Sequence, residues 1–201
     1  MRIWSPVLAA LLLVACSDAP VAEKKAKAPE PPAEPISGRQ AFQQTFPQAR
    51  GWAADCQPMR VRSFNLDNPK SGDGKAGAWE IVYASQSRGR ARTYTWSAIE
   101  AEGNLHKGVF AGQEEAWNPQ GMEKPFVPAA LKIDTPEALQ TAISKSAEYM
   151  KKGTPKPQVK FLLEFTSRFP EPAWRVFWGE SVSSAEWSVF IDATQGNYLG
   201  R

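Results

Sequence analysis

The chain has 201 residues, 24 Lys+Arg against 21 Asp+Glu, and a formal net charge of +3. That length holds one ordinary domain or two small ones, and 42% hydrophobic with 11% aromatic residues excludes a wholly disordered chain. The charge is nearly balanced and not clustered, so a pI near 8.9 does not indicate nucleic acid as a partner.

Residues 1–15 carry one positive charge, Arg2, then an apolar run over 7–14 that ends at Ala15-Cys16. A bilayer span needs about 20 apolar residues, so the run is too short to cross one and fits a cleaved secretory signal. Leu13-Val14-Ala15-Cys16 resembles the bacterial lipobox. The resemblance implies cleavage between Ala15 and Cys16, diacylglyceryl transfer to the Cys16 thiol, and acylation (palmitate) of the freed amine. More than one chain is needed because each buried CH₂ contributes only ~0.8 kcal/mol. Ser17, by similarity to Gram-negative sorting signals, implies the outer membrane, so the expected location is its periplasmic face. Residues 16–36 are rich in Pro, Ala, Lys and Glu and hold no aromatics. They cannot bury enough surface to order themselves and read as a tether.

The first folded unit is expected over 37–128. Ser37 is a helix cap, and Ala41, Phe42, Thr45, Phe46 and Ala49 recur at helical spacing. Pro47 predicts a short helix with a broken end. Strands are predicted over 59–66, 78–85 and 92–99, with a Gly/Pro/Asn-rich loop at 68–74 and a Gly103-Asn104 turn. Residues 108–128 read as an irregular connector pinned by Trp117 and Phe126. Arg88, Arg90 and Arg92, at every second residue, are the candidate contact for an anionic partner. Cys56 reads as a buried thiol, and His106, the only histidine, as a surface residue.

The second unit is expected over 129–201. Asp134-Thr135-Pro136-Glu137 is a helix start. Leu139, Ala142, Ile143, Ser146, Ala147 and Met150 form an apolar stripe that predicts one helix stopping at Gly153. A strand follows over 158–168. Residues 173–200, AWRVFWGESVSSAEWSVFIDATQGNYLG, read as two strands, a tight turn and a short return strand. They repeat the plan of 78–105: Trp79 aligns with Trp174, Tyr94 with Trp187, and Gly103-Asn104 with Gly196-Asn197. Each unit thus reads as αβββ, an internal repeat in an α+β fold. One such unit is small for a core of its own.

Trp174, Val176, Val189, Ile191, Asp192, Ala193, Thr194 and Gly196, in this helix-and-strands setting, make 135–201 similar to the PepSY domain of secreted and envelope proteins. The resemblance implies a cystatin-like antiparallel sheet packed against a helix. It also implies a binding or peptidase-inhibiting role without catalysis. No Gly-x-Ser-x-Gly turn is present, and a lone histidine makes no paired metal site. No cofactor, metal or catalytic residue is therefore expected, and the chain is expected not to be an enzyme. Convergent carboxylates for hydrolysis would have to come from Glu164, Glu180 and Asp192. The leading expectation is a lipid-anchored envelope protein that binds an envelope protein or peptide. The alternative is an apolar small-ligand binder, because Trp178 and Val189 point one way and Phe177 and Phe190 the other.

Overall fold

The computed structural model describes residues 32–152 and 157–201. The signal segment, Ala15, Cys16, most of the tether and the helix stop expected at Gly153 lie outside the described residues.

Ser37 opens the first helix with a capping box. Its hydroxyl accepts from the Gln40 amide at 3.3 Å, and the Gln40 side chain accepts from the Ser37 amide at 3.0 Å. Helix α1 then runs Gly38–Trp52, passing straight through Pro47. The break expected at Pro47 is therefore corrected. Proline costs the helix one backbone bond, but Ala41, Phe42, Thr45 and Ala49 bury on the same side and Phe42 stacks on Phe46 at 5.0 Å. Packing outweighs the missing bond. Because Pro47 is itself exposed, Pro47→Ala restores a donor without opening a cavity. It should raise the unfolding free energy by about 1–2 kcal/mol, read as an upward shift of the urea midpoint; an unchanged or lower midpoint would contradict this account.

The described residues form ten strands. Strands β1, Ile36–Ser37, and β3, Lys75–Ala76, form a two-residue pair beside the main sheet. The main sheet comprises β2 (Gln57–Phe64), β4 (Ala78–Ser85), β5 (Arg90–Ser97), β6 (Gly108–Ala116), β7 (Val159–Glu164), β8 (Ala173–Trp178), β9 (Trp187–Asp192) and β10 (Tyr198–Gly200). Its order is β10-β9-β8-β7-β2-β4-β5-β6, and every pairing is antiparallel. The α+β class with an antiparallel sheet is thus observed. Each half contributes a meander of four strands, where three were expected, and the halves join through β2 and β7. Residues 33–201 form one compact unit. Sharing a sheet gives each half the burial it lacks alone.

Strand β6 replaces the irregular connector expected from residue 108 onward. Its sequence, GVFAGQEEA, has no apolar alternation because it lies at the sheet's end with mostly exposed side chains. The later part of the connector, 117–127, is irregular. Its Lys124 amide donates to Phe165 O at 2.8 Å and its Phe126 amide to Pro58 O at 2.9 Å, and Phe126 is buried in the core.

The second helix is also corrected. It divides into α2, Thr135–Lys145, and α3, Ala147–Lys151, with Ser146 between them at φ −114°, ψ 24°. The buried Ser146 hydroxyl donates to Ala142 O at 2.7 Å and accepts from Trp187 Nε1 at 2.9 Å. This back-bonding bends the chain. Beyond the bend Tyr149 turns inward and stacks on Trp187 at 5.2 Å. Ile143, Ala147 and Met150 of the expected stripe are left exposed. No described helix is long and apolar enough to cross a membrane.

Both helices pack on one sheet face, the face of Val61, Trp79, Ile81, Tyr83, Tyr94, Phe161, Trp174, Val176, Val189 and Ile191. The halves hold their helices by the same bond. Trp79 Nε1 donates to Ile36 O at 3.0 Å, and Trp174 Nε1 donates to Ile133 O at 2.9 Å. Each acceptor stands two residues before its helix begins. The Asp192 turn is as expected: Oδ1 accepts from the Thr194 and Gln195 amides at 2.7 and 3.0 Å, and Gly196 takes φ 78°.

Candidate functional site

Period-two alternation means that each strand with a core-facing row also carries a second row on the opposite face. No described helix packs there. Pairing register places one residue from each of seven strands in a line across it: Phe190, Arg175, Leu162, Arg62, Glu80, Thr95 and Phe110. The neighbouring row holds Ala173, Glu164, Arg60 and Val82. Leu162 and Phe177 are nevertheless 5% and 3% exposed. Arg62 and Arg175 flank Leu162 in the register, and their long stems cover apolar surface beside it.

The guanidiniums sit over rings. Arg62 lies 4.7 Å from the Phe64 centroid, Arg175 5.9 Å from Phe177 and 5.5 Å from Phe190, and Arg168 4.1 Å from Phe190. Such contacts contribute about 0.5–1 kcal/mol each when exposed. Between them runs an ion-pair chain. Arg60 Nη1 donates to both Glu123 oxygens at 2.8 and 3.0 Å, Arg62 Nη2 donates to Glu80 Oε2 at 3.0 Å, and Arg60 Nη2 lies 3.8 Å from Glu80 Oε1. Arg60 Nε, Glu80 Oε1 and Thr95 Oγ1 are buried on this face without a hydrogen-bond partner among the described residues. Buried polar atoms of this kind take their partner from protein or from ordered water, so this face has acceptors and a donor to offer.

Glu164 stands opposite Arg60 in the register. Burial pushes its carboxyl above the usual range, and the nearby Glu123 charge adds to that; Arg60 and Arg175 act the other way. A raised folded-state value means the fold favours the protonated acid. The associated stability is present below the unfolded value, ~4.3, and is lost as pH rises through the folded value. Glu164→Gln, neutral throughout, should therefore gain on the wild type between pH 4 and pH 7 in parallel urea unfolding curves. A constant difference between the two curves would refute the shift.

Two clefts open at one end of the face and share Phe64. One of about 390 Å³ is lined by residues including Arg62, Phe64, Lys160, Phe177 and Val182. The other, about 550 Å³, includes Phe64, Leu66, Ile99, Ala101 and Leu105.

The expected site residues fall elsewhere. Arg88 pairs with Glu114 at 3.0 Å and lies 5.5 Å from the Trp52 ring. Arg92 Nε donates to Gly112 O at 2.8 Å and its guanidinium lies beside Tyr94. Arg88 and Arg92 thus brace β6 and α1, and Arg90 is exposed at the start of β5. Cys56 is buried, and burial raises its thiol above the ordinary range. His106 is half-buried and pairs with Glu100. The three carboxylates considered for hydrolysis do not converge. Glu164 faces Arg60, Glu180 accepts from Lys160 Nζ at 3.1 Å, and Asp192 is spent on its turn. Sequence reasoning passed over Arg60, Arg62, Glu80, Thr95 and Arg175. Their alternation with core residues was the available signal, but only strand order brings them together.

No protein-family model matches the chain, and no curated protein matches it. Among solved structures it is similar to a crystal structure described as a "putative lipoprotein" from Clostridium difficile 630. That likeness has a TM-score of 0.47 at 9% identity, covering 79% of this chain and 90% of that one.

Proposed function

We propose that the chain is a lipid-anchored protein of the bacterial envelope, held through Cys16 at the periplasmic face of the outer membrane. Its folded part is a non-catalytic binding module made of two PepSY-like halves. The observation that carries the binding role is the sheet face opposite the helices, where one residue from each of seven strands lines up in register and three buried polar atoms near its centre have no hydrogen-bond partner among the described residues. The lipobox supports the anchor, and the tether, which ends before Ala33 and not at 36 because Ala33 and Ile36 pack against the core, would let the face meet an envelope partner.

Two experiments test the two parts. Cells making the full chain should incorporate labelled palmitate, and Cys16→Ala should abolish the label; unlabelled wild-type protein would remove the anchor. A photo-cross-linking residue in place of Thr95 or Phe110, on the face, should give discrete adducts in cells. The same residue in place of the exposed Gln44 of α1 should not. Adducts that fail to form at both face positions, or form equally from α1, would remove the binding role.

The paired clefts around Phe64 favour a second reading, an apolar small ligand with an anionic group near Arg62 and Lys160. Native mass spectrometry of the protein extracted from membranes would then show a discrete added mass.

A further inference from the structure

At the far end of the open face from the Phe64 clefts, a third cleft of about 130 Å³ lies where β7, β8 and β9 meet. Its lining includes Phe169, Phe190, Arg168, Arg175, Glu164 and Thr166. The two phenyl rings pack at 5.3 Å. Arg168 lies over both, 4.1 Å from the Phe190 centroid and 5.1 Å from that of Phe169. Arg175 approaches Phe190 at 5.5 Å. Two guanidiniums thus share one ring, and the lining holds one carboxylate against them. The adjacent Arg60 and Glu123 pair with each other.

Arg168 is a like charge beside Arg175, and the one carboxylate of the lining, Glu164, offsets it only in part because burial favours its protonated form. The arginines are also not spent. Arg175 uses Nε on Ser188 Oγ at 3.1 Å and Nη2 on Val182 O at 3.0 Å, and Arg168 uses Nη2 on Arg201 O at 3.1 Å. A guanidinium carries five N–H donors in a planar fork that suits a carboxylate. Thr166 adds a hydroxyl, and the phenyl rings give an apolar wall. The volume admits a carboxylate with one apolar side group, so the rest of a peptide would lie outside the cleft.

We propose that this cleft binds a carboxylate flanked by an apolar group, held by Arg168 and Arg175 against Phe190. The chemistry is shared by a free small carboxylate and by the C-terminus of a peptide. This inference rests on the binding role of the open face and names an anchor point on it. Glu164 lines the same space from β7, and Glu123 of the connector and Arg60 of β2 lie close enough to act on its charge. Burial, with Glu123, keeps Glu164 readier to hold its proton than an ordinary glutamate, so it opposes an incoming anion less.

The test uses the full chain, isotope-labelled, titrated with N-acetyl-Ala-Phe, its C-terminal amide, and phenylacetate, and followed by amide shifts of residues 164–175 and 188–190. The acid peptide should give saturable shifts there, with the amide about ten-fold weaker or worse. Arg168→Gln, a change at an exposed position whose folding is checked by the dispersion of the remaining amide shifts, should weaken the acid to a similar degree. Phenylacetate binding as tightly as the peptide identifies a small carboxylate as the ligand; weaker binding identifies a chain end. Acid and amide binding alike, no saturable shift, or Arg168→Gln without effect would overturn the proposal. Adducts from Thr95 or Phe110 that persist after such a failure would leave the binding role standing, so the two readings can fail separately.

Discussion

Trp174→Ala should lower the unfolding free energy by about 3–5 kcal/mol, the range for a fully buried large aromatic, and Trp79→Ala by a similar amount. Both indoles are 0% exposed. Each lies within ring-contact distance of Phe161, at 6.2 Å for Trp79 and 6.4 Å for Trp174. Each indole nitrogen ties its strand to the carbonyl just ahead of a helix, so truncation removes ring volume and also leaves a carbonyl without its donor. The rings also meet at α1. A Cβ placed on Gly38 would lie 2.9 Å from Trp174 Cη2, 3.2 Å from Trp79 Cη2 and 3.0 Å from Thr135 Cγ2. Because the two rings share Phe161 and Gly38, the double variant should depart from additivity by about 0.5 kcal/mol or more. Urea unfolding of the four proteins reads both quantities. Single losses under ~1.5 kcal/mol, below the usual cost of emptying a core site, would show that the junction between the halves is not the centre of the core.

The same two tryptophans explain why so much of the fold was legible. Trp79, Ile81 and Tyr83 alternate with Glu80, and Phe161 and Leu163 alternate with Lys160 and Glu164; period two marked both the strands and the face that each would bury. Strand β6 carried no such mark. An edge strand buries neither face fully, so GVFAGQEEA owes little to apolar patterning. The break at Ser146 was hidden for a different reason. A serine at a helical a/d spacing reads as a tolerated member of the stripe, and only Trp187, 41 residues later, supplies the bond that makes it a bend. The binding face was the least legible part. Arg62, Glu80, Thr95 and Arg175 each look like the solvated half of a strand. They become a surface only once β2 and β7 are known to pair and to merge two meanders into one sheet, a long-range fact that no local pattern carries.

That merger has a polar clamp as well as an aromatic one, and removing it should be nearly as costly. Asp134 is 9% exposed and caps α2 by accepting from the Thr135 amide at 2.7 Å. The same carboxylate reaches the other half, accepting from the Arg39 amide at 3.0 Å and from the Ser37 hydroxyl at 2.6 Å. Thr135 Oγ1 in turn accepts from the Gly38 amide at 3.0 Å. Two helix N-termini, each with unpaired amides and a positive dipole end, thus converge on one negative group. Asp134→Ala removes a cap and strands two donors beside the core. The expected loss is about 2–4 kcal/mol, summing a cap of ~1 with the cost of buried donors left unpaired. Asp134→Asn keeps an acceptor oxygen and should lose less than half as much. Ser37→Ala breaks the link from the other side, and its combination with Asp134→Ala should cost less than the two single losses added. Amide hydrogen exchange separates a local effect from a global one: with Asp134→Ala, protection should fall first at Arg39 and Thr135, in both halves at once. Loss confined to α2 would mean that Asp134 is an ordinary helix cap and that the halves are joined by the sheet and the tryptophans alone.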